Sequence, residues 1–188
     1  MSVKRVFIIH GWEGTPDSNW FPWLKAELEK KRFEVAIPQM PNADFPKMSE
    51  WILHMRKNIG KPDENTYLIG HSLGAAAILR YLESLPAGEK IGGAILVAGV
   101  AKSIGIEELE NFFAKSFDYE KIKNTAKKII AVNSDNDPYV PLAHGETLRD
   151  KLGAKLIIVP KGEHLNAGNG LFEFPLVYSE ILKMAGGK

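Results

Sequence analysis

The chain has 188 residues, no cysteine, and 24 Lys plus Arg against 23 Asp plus Glu, a formal net charge of +1. That length fits one domain, and 45% hydrophobic residues are enough for a real core. The missing cysteine excludes a disulfide framework, a thiol nucleophile, Cys-ligated zinc and iron–sulfur clusters, and the balanced charge argues against a nucleic-acid partner.

Short apolar runs alternate with longer helical patterns. Residues 3–9 (VKRVFII) read as a buried strand, bounded by turns at Gly11 and Gly14. Residues 20–31 read as an amphipathic helix with Trp20, Trp23, Leu24 and Leu28 at three-to-four spacing. A strand at 33–37 is stopped by Pro38 and Pro41, and a helix at 48–59 carries Met48, Trp51, Ile52 and Met55 on one side. A strand at 66–69 leads into a helix at 73–85, ended by Pro86 and Gly88. A strand follows at 91–97, where Gly92, Gly93 and Ala94 predict a crowded backbone.

Residues 99–125 break the rhythm. They carry more charge, with Phe112, Phe113, Phe117 and Tyr119, and predict one or two short helices outside the sheet. This excursion is either a small cap over a pocket or a packed surface insertion. The alternation then resumes with a strand at 128–132, a helix at 142–152, a strand at 154–159 and a helix at 173–184.

Six strands separated by helical crossovers predict a three-layer α/β sandwich, a mostly parallel sheet with helices on both faces, in one domain over residues 1–188. Ligands bind such sheets outside the carboxyl ends of the strands. The residues just after each strand are therefore the ones to inspect.

Gly70-His71-Ser72-Leu73-Gly74 fits the G-x-S-x-G pattern between a strand and a helix. A sharp turn there exposes the central hydroxyl, and the flanking glycines avoid collisions with nearby backbone. The helix N-terminus behind Ser72 offers N–H groups to a developing oxyanion. Ser72 is thus the candidate nucleophile. It needs a base, and a carboxylate to orient that base, in the chain order Ser, Asp/Glu, His.

Downstream of Ser72 stand only His144 and His164. His164 follows the last strand and is the candidate base. His144, early in a helix, reads as a solvated surface residue. Asp137, which precedes Pro-Tyr-Val-Pro, is the preferred acid. Asp135 is the alternative, and its place in the tight part of the turn suits an Asp that caps its own backbone. The backbone N–H groups of Trp12 and Leu73 are the candidate oxyanion hole. His10 reads as a structural residue of the loop after the first strand. His71 is expected to pack or bond beneath the elbow, and His54 is a mid-helix residue.

All four tryptophans, Trp12, Trp20, Trp23 and Trp51, lie in the first third of the chain. Trp12 and Trp20 are candidates for an aromatic wall of the substrate pocket, with core packing as the other reading; Trp23 and Trp51 read as core. No metal-binding or nucleotide-binding pattern is present, so no cofactor is expected. No apolar run reaches the ~18–20 residues of a membrane span, so no membrane partner is expected. The apolar run at residues 6–9 is too short for a signal-peptide core, so a cytoplasmic location is expected.

The segments VFIIHGWEGTPDSNWFPWL, IGHSLGA, NSDNDPYVP and GEHLNAGNGLFEFP together resemble an α/β-hydrolase. More narrowly, they resemble the small serine hydrolases that include retinoblastoma-binding protein nine and the bacterial YdeN-type proteins. The resemblance spans essentially the whole chain. It implies a reduced fold that lacks the first two strands of larger relatives, with strand order 2-1-3-4-5-6. By position it implies Ser72 as nucleophile, Asp137 as acid and His164 as base, acting on a small ester, amide or peptide bond. Glu163 stands where relatives often have Gly, and Phe174 where Trp is common. The mammalian retinoblastoma-binding motif L-x-C-x-E requires a cysteine, so that partner is not expected here. The competing reading is a protein-interaction module on a hydrolase scaffold with incidental esterase activity.

Overall fold

The apolar runs of the sequence become the strands of one sheet. The computed structural model describes residues 3–186; the two residues at each end of the predicted 1–188 domain lie outside the described residues. The elements in chain order begin with β1 (Arg5–Ile9), α1 (Phe21–Lys30), β2 (Glu34–Ala36), α2 (Met48–Ile59), β3 (Thr66–His71) and α3 (Leu73–Ser84). They continue with β4 (Gly93–Val97), α4 (Tyr119–Thr125), β5 (Ile129–Ser134), α5 (Ala143–Leu152), β6 (Lys155–Val159) and α6 (Pro175–Met184). Two 3-10 turns, Glu107–Phe112 and Ala167–Asn169, complete the set.

The sheet has six strands in the order β2-β1-β3-β4-β5-β6, and each neighbouring pair is parallel. The central strands β3, β4 and β5 are buried along their whole length. That is what continuous runs such as GAILV require, since a parallel sheet with helices on both faces hides both sides of each strand. Alternate side chains serve two cores. Phe7, Ile9, Leu68, Leu96 and Ala131 pack with α2, α3 and α5, while Val6, Ile8, Ile69, Val97 and Val132 pack with α1 and α6. Among the described residues, no helix is long and apolar enough to cross a membrane.

The element boundaries differ from the sequence reading where tertiary partners decide them. β2 is three residues long rather than five, because the Phe33 N–H is taken by Leu28 O as α1 unwinds. β4 starts at Gly93, and Ile91 instead forms an isolated bridge to Ala126. β3 runs two residues further than predicted, to His71, so the strand delivers the chain directly to Ser72.

Candidate active site

Ser72 sits at the carboxyl end of β3 and caps α3, with φ 54° and ψ −119°. A non-glycine residue rarely holds a positive φ, and such strain persists only where the surroundings enforce it. Here the glycines make the enforcement possible. A Cβ on Gly70 would stand 2.7 Å from the Ala75 nitrogen, and one on Gly74 would stand 2.2 Å from Ile9 O. Helix α3 therefore starts against the end of β1 with no room for side chains. Leu73 opens α3 directly after Ser72, and Trp12 lines the same cleft as Ser72.

The loop bearing Trp12 is tied down from several sides. His10 Nδ1–H donates to Gly11 O at 2.8 Å, and His10 Nε2 accepts from the Met40 N–H at 2.9 Å. Burial lowers the His10 pKa, which suits the neutral ring this pair of bonds requires. Trp12 Nε1–H donates to Asp44 O at 2.8 Å, and Glu13 N–H donates to Ala43 O at 3.0 Å.

Asp137 and His164 come together although 27 positions separate them. β5 and β6 are adjacent and parallel, so the loops that follow them lie side by side. His164 Nδ1 is 2.8 Å from Asp137 Oδ2 and 3.1 Å from Oδ1. A carboxylate only accepts, so Nδ1 carries the proton and Nε2 is left as an acceptor. The Asp137 side chain has no exposed surface. Burial pushes its pKa up, but the His164 hydrogen bond, the Val140 and Tyr139 N–H groups and the His164 charge outweigh this, and the carboxyl titrates below its ordinary value.

Ser72 and His164 line one cleft of about 410 Å³ at the carboxyl edge of the sheet. Ile104, Ile106 and Leu109, from the excursion at 99–125, line it too, with Trp12 and Tyr139. The phenylalanines that drew attention to that excursion point the other way: Phe112 and Phe117 are buried in the core. A larger cleft of about 600 Å³ lies at the amino ends of β5 and β6, lined by lysines such as Lys128 and Lys155; it includes neither Ser72 nor His164. Among the described residues, no group of three or more His, Cys, Asp or Glu side chains is placed to hold a metal.

Three expectations need correction. Trp20 does not line the cleft. It is fully buried at the start of α1, edge-on to Phe21 and Phe174, and its Nε1–H donates to Leu165 O at 3.0 Å. It thus supports the loop that carries His164 from below. His144 is not a surface residue: it is 3% exposed, and its Nδ1 accepts the Ala101 N–H at 3.1 Å, because α5 docks against the chain leaving β4. Asp135 does not cap its own turn; its Oδ1 accepts the Lys161 N–H at 2.7 Å. The local cap belongs to Asp137, whose Oδ1 accepts the Tyr139 and Val140 N–H groups at 2.9 Å each. Trp51 is fully buried as expected, whereas Trp23 is only half-buried, edge-on to Tyr178.

His71 has more to do than the sequence disclosed. Its Nε2–H donates to His164 O at 2.9 Å, and its ring lies edge-on to Trp20, Phe21 and His164. Burial, then the neighbouring His164, pushes its pKa down to about 3. The ring is therefore neutral despite the bond to His164 O, which favours the charged form.

The sequence pattern of the family described as serine hydrolase matches residues 6–183. The Bacillus subtilis (strain 168) protein YdeN is 38% identical over 180 residues, 95% of each chain. RBBP9, a serine hydrolase of Rattus norvegicus, is 31% identical over 140 residues, 73% of each chain. The crystal structure of the B. subtilis ydeN gene product superposes with a TM-score of 0.94 at 36% identity, covering 98% of this chain and all of that one.

Proposed function

The chain belongs to the serine hydrolase family, and we propose that it cleaves a small ester or amide through an acyl-enzyme formed on Ser72. His164 Nε2 takes the Ser72 proton as Oγ attacks the substrate carbonyl. Asp137 keeps the imidazole in the tautomer with Nδ1 protonated and stabilises the imidazolium that forms. The Trp12 and Leu73 N–H groups hold the oxyanion. His164 then protonates the leaving group, and a water attacks the acyl-enzyme by the same route. The acyl group lies against Ile104, Ile106 and Leu109, and the reading needs no cofactor.

The observation that carries this reading is the 2.8 Å contact between Asp137 and His164 at a cleft shared with a strained serine. A base of this kind contributes ~10²–10⁴ in rate, and each oxyanion donor a further ~10²–10³. The test is rapid mixing with p-nitrophenyl acetate. The expected trace is a burst of p-nitrophenolate equal to the enzyme concentration, absent in Ser72→Ala. A folded wild-type protein with no turnover would refute the reading.

A further inference from the structure

The loop after β5 grips the loop after β6 residue by residue. Lys161 N–H donates to Asp135 Oδ1 at 2.7 Å, Gly162 N–H to Ser134 Oγ at 2.9 Å, and Glu163 N–H to Asn136 Oδ1 at 2.8 Å. The next residue, His164, meets Asp137. Four consecutive residues therefore hold four consecutive residues. Ser134 Oγ–H also donates to Asn136 Oδ1 at 2.7 Å, so the gripping side chains are tied to one another.

The gripped backbone is strained. Lys161, Glu163 and Leu165 have φ of 52°, 48° and 53°. Left-handed residues alternating with others turn successive N–H groups toward one side, which makes a concavity that attracts negatively polarised oxygen. In many proteins a bound anion fills such a concavity. Here the oxygens of Ser134, Asp135 and Asn136 fill it. None of the three lines the cleft. Their effect on chemistry must pass through the loop they hold.

We propose that Ser134, Asp135 and Asn136 are positioning residues that set where His164 stands between Ser72 and Asp137. Asn136 is the centre of the grip, because one oxygen accepts from both Ser134 and Glu163. The polar run S-D-N-D thus divides its labour: the last member faces the imidazole and the first three hold its backbone. The inference rests on His164 being the base, as proposed above.

The test measures kcat and KM for p-nitrophenyl acetate in Asn136→Ala and Asn136→Asp, each alone and combined with His164→Ala, with thermal unfolding alongside. A misplacement of the base by about 1 Å costs on the order of 10²-fold in rate. Asn136→Ala should therefore lower kcat by roughly 10–100-fold with KM changed by less than about twofold. Asn136→Asp keeps the accepting oxygen and should restore most of the loss. In the His164→Ala background, Asn136→Ala should cost nothing more, because the group it positions is gone. Should Asn136→Ala fail to fold, Ser134→Ala must show the same pattern. Wild-type kcat in a folded Asn136→Ala protein overturns the inference. So does an equal loss in the His164→Ala background. A wild-type enzyme without turnover instead refutes the hydrolase reading, and is recognised because no variant is needed to see it.

Discussion

His71 Nε2 lies 2.9 Å from the carbonyl oxygen of His164, so the residue beside the candidate nucleophile props the backbone of the candidate base. The bond crosses 93 positions of sequence and joins the last residue of β3 to the turn after β6. Trp20 adds a second prop one residue further on, through Leu165 O. The elbow and the His164 loop are thereby one rigid assembly built from the core outward.

Burial keeps His71 neutral within that assembly. Its pKa in the fold, about 3, lies below the ordinary value of 6.5. Between those values the unfolded chain binds the proton and the folded one does not. The His71 contribution to stability is thus complete above pH ~6.5 and is lost as pH falls toward 3, with a slope of up to ~1.4 kcal/mol per pH unit. His71→Gln keeps an N–H donor but cannot titrate. Urea unfolding between pH 7 and pH 4.5 should show the wild type losing stability more steeply than His71→Gln. Parallel curves would mean that His71 does not carry this linkage.

Asp135 and Asp137 are two residues apart but do different things in the structure. Asp137 faces the imidazole, whereas Asp135 accepts a backbone N–H from Lys161. Asp137→Asn favours the wrong imidazole tautomer and should lower kcat by up to ~10⁴-fold. Asp135→Asn retains an accepting oxygen and should cost far less. Steady-state kinetics of the two variants decide the matter, and equal losses would contradict the assignment of the acid.

Local chemistry made the strands, the order of elements and the G-x-S-x-G elbow legible in the sequence. Strand periodicity and the glycines of a tight turn are written within a few residues. Contacts between distant segments were not legible. Trp20, close to the carboxyl edge, was open to both a pocket and a core reading, and the core formed with Phe174 claims it. His144 looked exposed because it stands early in a helix, yet α5 presses it against Ala101. The excursion at 99–125 drew the eye to its phenylalanines, while its aliphatic residues Ile104, Ile106 and Leu109 form the cleft wall. The strand pairing alone brings S-D-N-D against the His164 loop.

The aliphatic wall predicts a chain-length preference. Ile106→Phe puts a bulkier side chain on the wall of a cleft of about 410 Å³ and narrows it. It should lower kcat/KM for p-nitrophenyl hexanoate relative to acetate by roughly tenfold, the scale of one or two misfitted methylenes. The measurement is kcat/KM across acyl lengths in both proteins. An unchanged ratio would remove these residues from the acyl site.

The crowding at Gly74 predicts a structural failure. A Cβ there would lie 2.2 Å from Ile9 O and 2.6 Å from His10 O, both backbone atoms that cannot rotate away. Gly74→Ala should push α3 off β1, lower the melting temperature by several degrees and reduce activity with it. A variant that melts and turns over like the wild type would show that the elbow has slack.

The central claim is that Ser72 is a nucleophile activated by His164. Its most direct test is intact-protein and peptide mass spectrometry after incubation with a fluorophosphonate. The account predicts a single adduct on the peptide containing Ser72, abolished in Ser72→Ala and strongly slowed in His164→Ala. A folded wild-type protein that takes up no adduct, or a Ser72→Ala protein labelled as fast as the wild type, would contradict it.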